Sequence, residues 1–264
     1  MDAQSLLQAG DLSGALSEVQ QQVKRQPAES RHRIFLFQLL CILGDWDRAM
    51  TQLGVLEGLA AENLPLVRTY SAAIQCERLR TDVFNASRSP IVFGEPQQWL
   101  ALLLESNRLL AEGNIPEAEG VRAEALEAAP AISGSLNGQP FDWIMDADPR
   151  LGPVIEAILD GKYYWVPFNR FRKMAIEAPE DLRDLVWLPA SFEWANGGEL
   201  QGLIPARYPG SEASEDTSIL LSRKTDWQPL SENTHLGSGQ RLFATSEDDF
   251  ALLDTREIGL DKSG

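Results

Sequence analysis

The chain has 264 residues, of which 44% are hydrophobic and 23% charged, with seven Trp and ten Phe. That is enough apolar material for one large or two ordinary domains, and an ordered globular protein is expected. The formal net charge of −16 is spread over both halves, 17 acids against 11 bases in residues 1–130 and 22 against 12 in residues 131–264. This balance argues against nucleic acid and anionic membrane as partners, because both require a Lys/Arg surface. A local basic strip such as Arg170, Arg172, Lys173 is compatible with this balance. The opening Met-Asp-Ala-Gln-Ser-Leu-Leu lacks the basic and apolar regions of a secretory signal, and the longest apolar run, 34–43, is about half of what a bilayer requires. A cytoplasmic location follows. Cys41 and Cys76 have no Cys/His spacing around them and are expected as buried free thiols.

In chain order, the first signal is an internal repeat. Gly10-Asp11-Leu12-x-x-Ala15 returns as Gly44-Asp45-Trp46-x-x-Ala49 and as Gly113-Asn114-Ile115-x-x-Ala118, at offsets of 34 and 69. Thirty-four is the tetratricopeptide period, and 69 places a degenerate copy between the second and third matches, with its turn near Arg78 or Leu79. In such a helical hairpin Gly takes the left-handed conformation that ends one helix, Asp or Asn caps the next, and Ala lets the pair approach. Pro27 and Pro130 close the first and last units. Helical periodicity places helices at 3–9, 12–25, 29–43, 46–60, 63–79, 82–88, 96–112 and 115–128. Residues 89–96 read as an irregular link.

Stacked hairpins leave a concave groove lined by the first helix of each pair, and its usual ligand is an extended peptide or an amphipathic helix. The repeat puts Arg31, Ile34, Gln38 and Cys41 on that face in the second unit, and Leu100, Leu103, Asn107 and Leu110 in the last. This mixture of apolar and polar residues suits a helix with one greasy face. The alternative is that the apolar members pack against the rest of the chain.

After Pro130 the helical period disappears through Ser133-Gly134-Ser135-Leu136-Asn137-Gly138, which sets a boundary between a tetratricopeptide-like domain, 1–130, and a second domain, 131–264. There, 151–160 reads as a helix opened by Pro153 and closed by Gly161. Residues 163–166, 186–188, 191–194, 201–204, 218–221, 240–244 and 250–253 read as short strands, with Asn196-Gly197-Gly198 as a hairpin turn. The fold class expected is therefore an N-terminal α-α superhelix followed by an α+β domain with a mainly antiparallel sheet.

The second half also carries an ordered set of motifs: Phe141-x-Trp143-Ile144-x-Asp146-x-Asp148-x-Arg150-x-Gly152-Pro153, Glu156, Tyr163-x-Trp165-x-Pro167, Leu182-Arg183-Asp184 and Ile204-Pro205-x-Arg207-Tyr208. With the helical repeats, these resemble the ImpE family, also called SciE-type or TagJ proteins. The resemblance implies an accessory protein of bacterial type VI secretion that binds the N-terminal helix of the small contractile-sheath subunit, TssB. It further implies a link to sheath assembly or to recycling by the ATPase ClpV.

Catalytic chemistry finds little support. Asp142, Asp146 and Asp148 offer an Asp-x-Asp pair for a hard cation, but Arg150 stands beside them, and capping with an Asp–Arg ion pair explains the pattern equally well. His32 and His235 fall in a solvated helix start and a loop, with no nucleophile motif nearby. Tyr163, Tyr164, Trp165, Phe168 and Phe171 read as core. No metal, cofactor or catalytic residue is expected, and the rival readings are a carboxylate-based enzyme centred on Asp146 and Asp148 or a general helix-binding scaffold.

Overall fold

Gly10, Gly44 and Gly113 adopt φ of +83°, +68° and +82°, so each ends a helix in the left-handed region that a Cβ disfavours. The computed structural model, which describes residues 2–95 and 97–261, places antiparallel helices on either side of each turn. They are α1 (Ala3–Gln8), α2 (Leu12–Arg25), α3 (Ser30–Ile42) and α4 (Trp46–Leu59). The Asp11 carboxylate accepts from the backbone N–H of Gly14 at 2.8 Å, and that of Asp45 from Arg48 at 3.2 Å. Ala15, Ala49 and Ala118 are fully buried at the crossings.

The third unit departs from the repeat. Instead of helices at 63–79 and 82–88 with a turn near Arg78, one helix of 21 residues, α5 (Leu64–Phe84), runs through. Residues 76–84 contain neither Gly nor Pro to break it, and Glu77 and Arg80 are buried on the face it turns inward. The offset of 69 therefore comes from one long helix and a connection. Within the connection, the stretch expected to be irregular supplies a strand, β1 (Ile91–Val92); Pro96, in the same stretch, lies outside the described residues. The helices α6 (Gln98–Ala111) and α7 (Ile115–Ala128) complete the array.

The second half is built on β2 (Gly134–Leu136), β3 (Gln139–Phe141), β4 (Ile144–Asp146), β5 (Val154–Leu159), β6 (Lys162–Pro167), β7 (Phe171–Ile176), β8 (Trp187–Trp194) and β9 (Glu199–Pro205). A short helix α8 (Thr217–Leu220) follows, then β10 (Thr225–Pro229), β11 (His235–Gly239), β12 (Leu242–Thr245), β13 (Asp249–Ala251) and β14 (Glu257–Leu260). Nine strands form one sheet in the order β1-β6-β5-β9-β8-β7-β14-β2-β3, antiparallel at every pairing except β1 with β6. Smaller antiparallel sheets join β10 to β11 and β13 to β12 and β4.

Three expectations are corrected here. Residues 151–160 hold strand β5 instead of a helix. All six of its residues are buried, and a central strand covered on both faces reads as an unbroken apolar run that periodicity cannot tell from a helix. Residues 218–221, expected as a strand, lie in α8 and its end, where the Asp216 carboxylate accepts from Ser218 N–H at 2.8 Å. The two strands expected at 186–188 and 191–194 are one, β8. It passes through Pro189, one residue beyond the last β7–β8 pair, Ile176 with Ala190, so on that side the missing N–H falls outside the ladder. Residues 133–138, read as the change of texture at the boundary between domains, hold β2 and the turn of the β2–β3 hairpin, where Asn137 and Gly138 adopt successive positive φ values.

Two apolar layers flank the sheet. One gathers Phe37, Leu40, Tyr70, Ile74 and Leu103 of the helices with Tyr163, Trp165, Trp187 and Leu203 of the strands. The other, on the opposite face, gathers Ile155, Val166, Met174, Phe192, Ile204 and Phe243. Both cysteines are buried and free. Among the described residues no helix is long and apolar enough to cross a membrane.

Candidate functional site

The inner face of α5 carries Glu77 and Arg80, one turn apart, into the seam between helices and sheet. Arg80 donates to both oxygens of Glu156 on β5, at 2.6 and 2.8 Å, and to the carbonyl of Arg207 at 2.8 Å. Glu77 sits 3.4 Å from Arg80 and accepts from the indole N–H of Trp187 at 2.8 Å. Glu156 also accepts from the Tyr163 hydroxyl at 2.5 Å, and that oxygen accepts from the Trp165 indole at 2.8 Å. On the far side, Arg241 lies 3.2 Å from Glu156 and donates to Asp146 at 2.6 and 2.9 Å. Arg207 donates at 2.8 Å to the carbonyls of Ile42 and Leu220, satisfying buried C-terminal carbonyls of α3 and α8.

These groups are desolvated, and their acidities follow. Burial pushes Asp146 up to about 6 despite Arg241, and also raises Glu77. For Glu156, burial is outweighed by the charge and hydrogen bonds of Arg80, with help from Arg241 and Tyr163, so its carboxyl lies below its ordinary range.

The carboxylates that suggested a cation site are occupied by the chain itself. Asp146 accepts from Arg241 and from the backbone N–H of Asp148. Asp148 accepts from the backbone and guanidinium of Arg150, at 2.6 to 2.9 Å, and from Gly237 N–H at 2.9 Å. Asp142 stays exposed at the end of β3. Among the described residues no group of three or more His, Cys, Asp and Glu side chains is placed to hold a metal. His235 is exposed, and the ring of His32 lies 2.9 Å from the Gln26 side-chain oxygen. Of the aromatic residues expected in the core, all but the half-buried Tyr164 are buried.

The residues expected along the concave face divide into two groups. Cys41, Leu100 and Leu103 are buried in the apolar layer shared with Trp165, Trp187 and Leu203, and the Asn107 amide donates to the carbonyl of Arg150 at 2.8 Å. The sheet domain covers Cys41, Leu100 and Leu103 in this arrangement, while Asn107 also lines a shallow groove with Leu104 and Arg108. Leu110 is half-buried. Arg31 is exposed beside Glu29, Ile34 is half-buried, and Gln38, 4% exposed, lines an open groove of about 420 Å³. Gln4 and Leu7 of α1, Phe35 of α3, and Leu182 and Leu185 of the 3-10 turn Leu182–Leu185 make up its walls.

Sequence reasoning missed Glu77, Arg80, Trp187 and Arg241. The available signal was Glu77-x-x-Arg80, two charges one turn apart where α5 should be apolar. It also missed Phe35 and the 179–185 wall, because the turn meets α3 only in three dimensions.

The arrangement defines a class: a helical-repeat protein whose array is fused to a β-sheet domain through buried charge, with part of its concave face left open. A family model described as ImpE protein matches residues 138–259. The chain is 47% identical, over 98% of its length and 90% of the relative's, to the type VI secretion system accessory component TagJ of Pseudomonas aeruginosa. Its fold matches the crystal structure of protein VPA1032 from Vibrio parahaemolyticus with a TM-score of 0.89 at 25% identity, covering 99% of this chain and 98% of that one. The chain belongs to the ImpE family, whose members include TagJ.

Proposed function

We propose that this chain is a non-catalytic, cytoplasmic accessory adaptor of a type VI secretion system that holds the N-terminal helix of the small sheath subunit TssB, in connection with sheath assembly or ClpV-dependent disassembly. The relative's role as an accessory component supports the system. The observation that carries the mode of action is the groove at Leu7, Phe35 and Gln38, where the concave face is open and amphipathic in character. Residues 1–130 supply two walls of this surface, and residues 131–264 supply the third at 179–185 and brace the array through Glu156, Arg207 and Trp187. Of the repeat positions, Gln38 lines the groove, with Ile34 and Arg31 one and two turns before it on α3, while Cys41, Leu100, Leu103 and Asn107 serve the seam. The buried carboxylates speak against an enzyme, since every oxygen of Asp146 and Asp148 is engaged by arginine or backbone N–H.

The test is a calorimetric titration of the full chain with a peptide of the TssB N-terminal helix from the same gene cluster. Micromolar or tighter binding, about −8 kcal/mol, that is weakened in Phe35→Ala and Leu182→Ala supports the reading. Absence of heat with the folded wild type refutes it.

A further inference from the structure

Each wall of the groove has a helical part whose lining side chains are three residues apart: Gln4 and Leu7, Phe35 and Gln38, Leu182 and Leu185; Pro179, Glu180 and Asp181 lead into the third. Backbone groups within helices are hydrogen-bonded internally, so an added β-strand has no ladder to join, whereas residues one turn apart interdigitate with the i, i+3 and i+4 side chains of another helix. Two further observations specify that helix. The charged side chains of the lining are Glu180 and Asp181, both acidic, and the lining holds no Lys or Arg. Asp181 meets Arg183 at 2.5 Å and stays 44% exposed, while exposed Glu180 has no ion pair among the described residues. Inside the lip, Gln38 is 96% buried by its neighbours, yet among the described residues nothing hydrogen-bonds its amide, which faces the groove. An amide so placed opens only onto the groove, where a polar group of a ligand can take the place of water.

We propose that the groove selects a cationic amphipathic helix. Its apolar ridge seats on Leu7, Phe35, Leu182 and Leu185, a Lys or Arg beside the ridge pairs with Glu180 and Asp181, and a polar group bonds the Gln38 amide. The inference deepens the adaptor reading by stating which helices the site accepts, and it rests on that reading for the location of the site.

Two designed helical peptides, alike in apolar ridge but carrying Lys or Glu beside it, are titrated into the full chain at low and high salt. The Lys peptide is expected to bind about tenfold more tightly at low salt, with the gap narrowing at high salt as the charges are screened. Glu180→Lys is expected to reverse the preference. Gln38→Leu is expected to weaken the Lys peptide about fivefold with little change in the melting temperature, because a hydrogen bond to the ligand is lost while the amide makes none within the free protein. A purely structural glutamine would not split these two readouts. Equal binding of the two peptides, indifference to Glu180→Lys, or no heat with either overturns the proposal. If the Lys peptide binds while the TssB helix does not, the selectivity stands and the sheath assignment falls. If the TssB helix binds with sensitivity to Phe35→Ala but not to Glu180→Lys, the adaptor reading stands and this inference falls.

Discussion

Around Cys41, Leu100 and Leu103 the concave side of the array is packed under the sheet, whereas around Leu7, Phe35 and Gln38 the same side lies open along a groove. Both stretches come from one repeat geometry and both mix apolar with polar residues. They differ in what the rest of the chain does with them. Where α5 brings Glu77 and Arg80 inward, the sheet answers with Glu156, Trp187 and the carbonyl of Arg207. Where α1 and α3 face the 3-10 turn, Gln38 is left unanswered. A repeat thus specifies a surface, and its occupant is decided by polar residues far away in sequence.

The contrast can be broken most severely at the seam. Arg80→Ala strands Glu156 and Glu77 in a desolvated core and is expected to cost about 3–5 kcal/mol in urea unfolding. Replacement of both Arg80 and Glu156 by Met should recover part of that loss, since Glu156 is no longer left without Arg80, while Glu77 keeps only the Trp187 N–H. Leu103→Ala is expected to cost about 3 kcal/mol and to leave peptide affinity per folded molecule unchanged; a selective loss of binding would place the ligand in the covered half.

A finer probe uses pH. Because Asp146 is raised to about 6 when folded, the native state binds the extra proton between about pH 4 and 6, and this group's contribution to stability increases as pH falls through that window. Wild type is therefore expected to gain roughly 1–2 kcal/mol on Asp146→Asn between pH 7 and 4.5; a loss would mean that Arg241 outweighs burial. Glu156, held low by Arg80, works in the opposite direction, and its contribution disappears as pH falls through its depressed folded value. The smallest change belongs to the open half. Leu182→Ala should lower peptide affinity about tenfold, or 1.4 kcal/mol, with little change in the unfolding midpoint.

The sequence makes some of this visible and hides the rest for physical reasons. Gly10, Gly44 and Gly113 announce their turns because only glycine takes positive φ there without strain. Strand β5 hides because burial on both faces erases alternation, and its one charge, Glu156, is in the core instead of marking a surface. The motif residues Asp146, Asp148, Arg150 and Arg207 are legible as a pattern, and the Asp148–Arg150 pair is local enough to infer. The partners Arg80 and Arg241 are not, because each lies more than 70 residues from the carboxylate it meets. The open groove is illegible in the same way: its third wall enters from residues 179–185.

Strand β1 bears on how this architecture can be inherited. Ile91 and Val92, taken from between two helices, pair with Tyr164 and Trp165 and cover the outer edge of β6. A recombination event that transplanted residues 131–264 would carry away the sheet without that cover, exposing an aromatic edge to other copies of itself. The change of texture at Pro130 is therefore a poor place for shuffling, and lineages should keep or lose the array and the sheet together, although the family model's match begins only at residue 138.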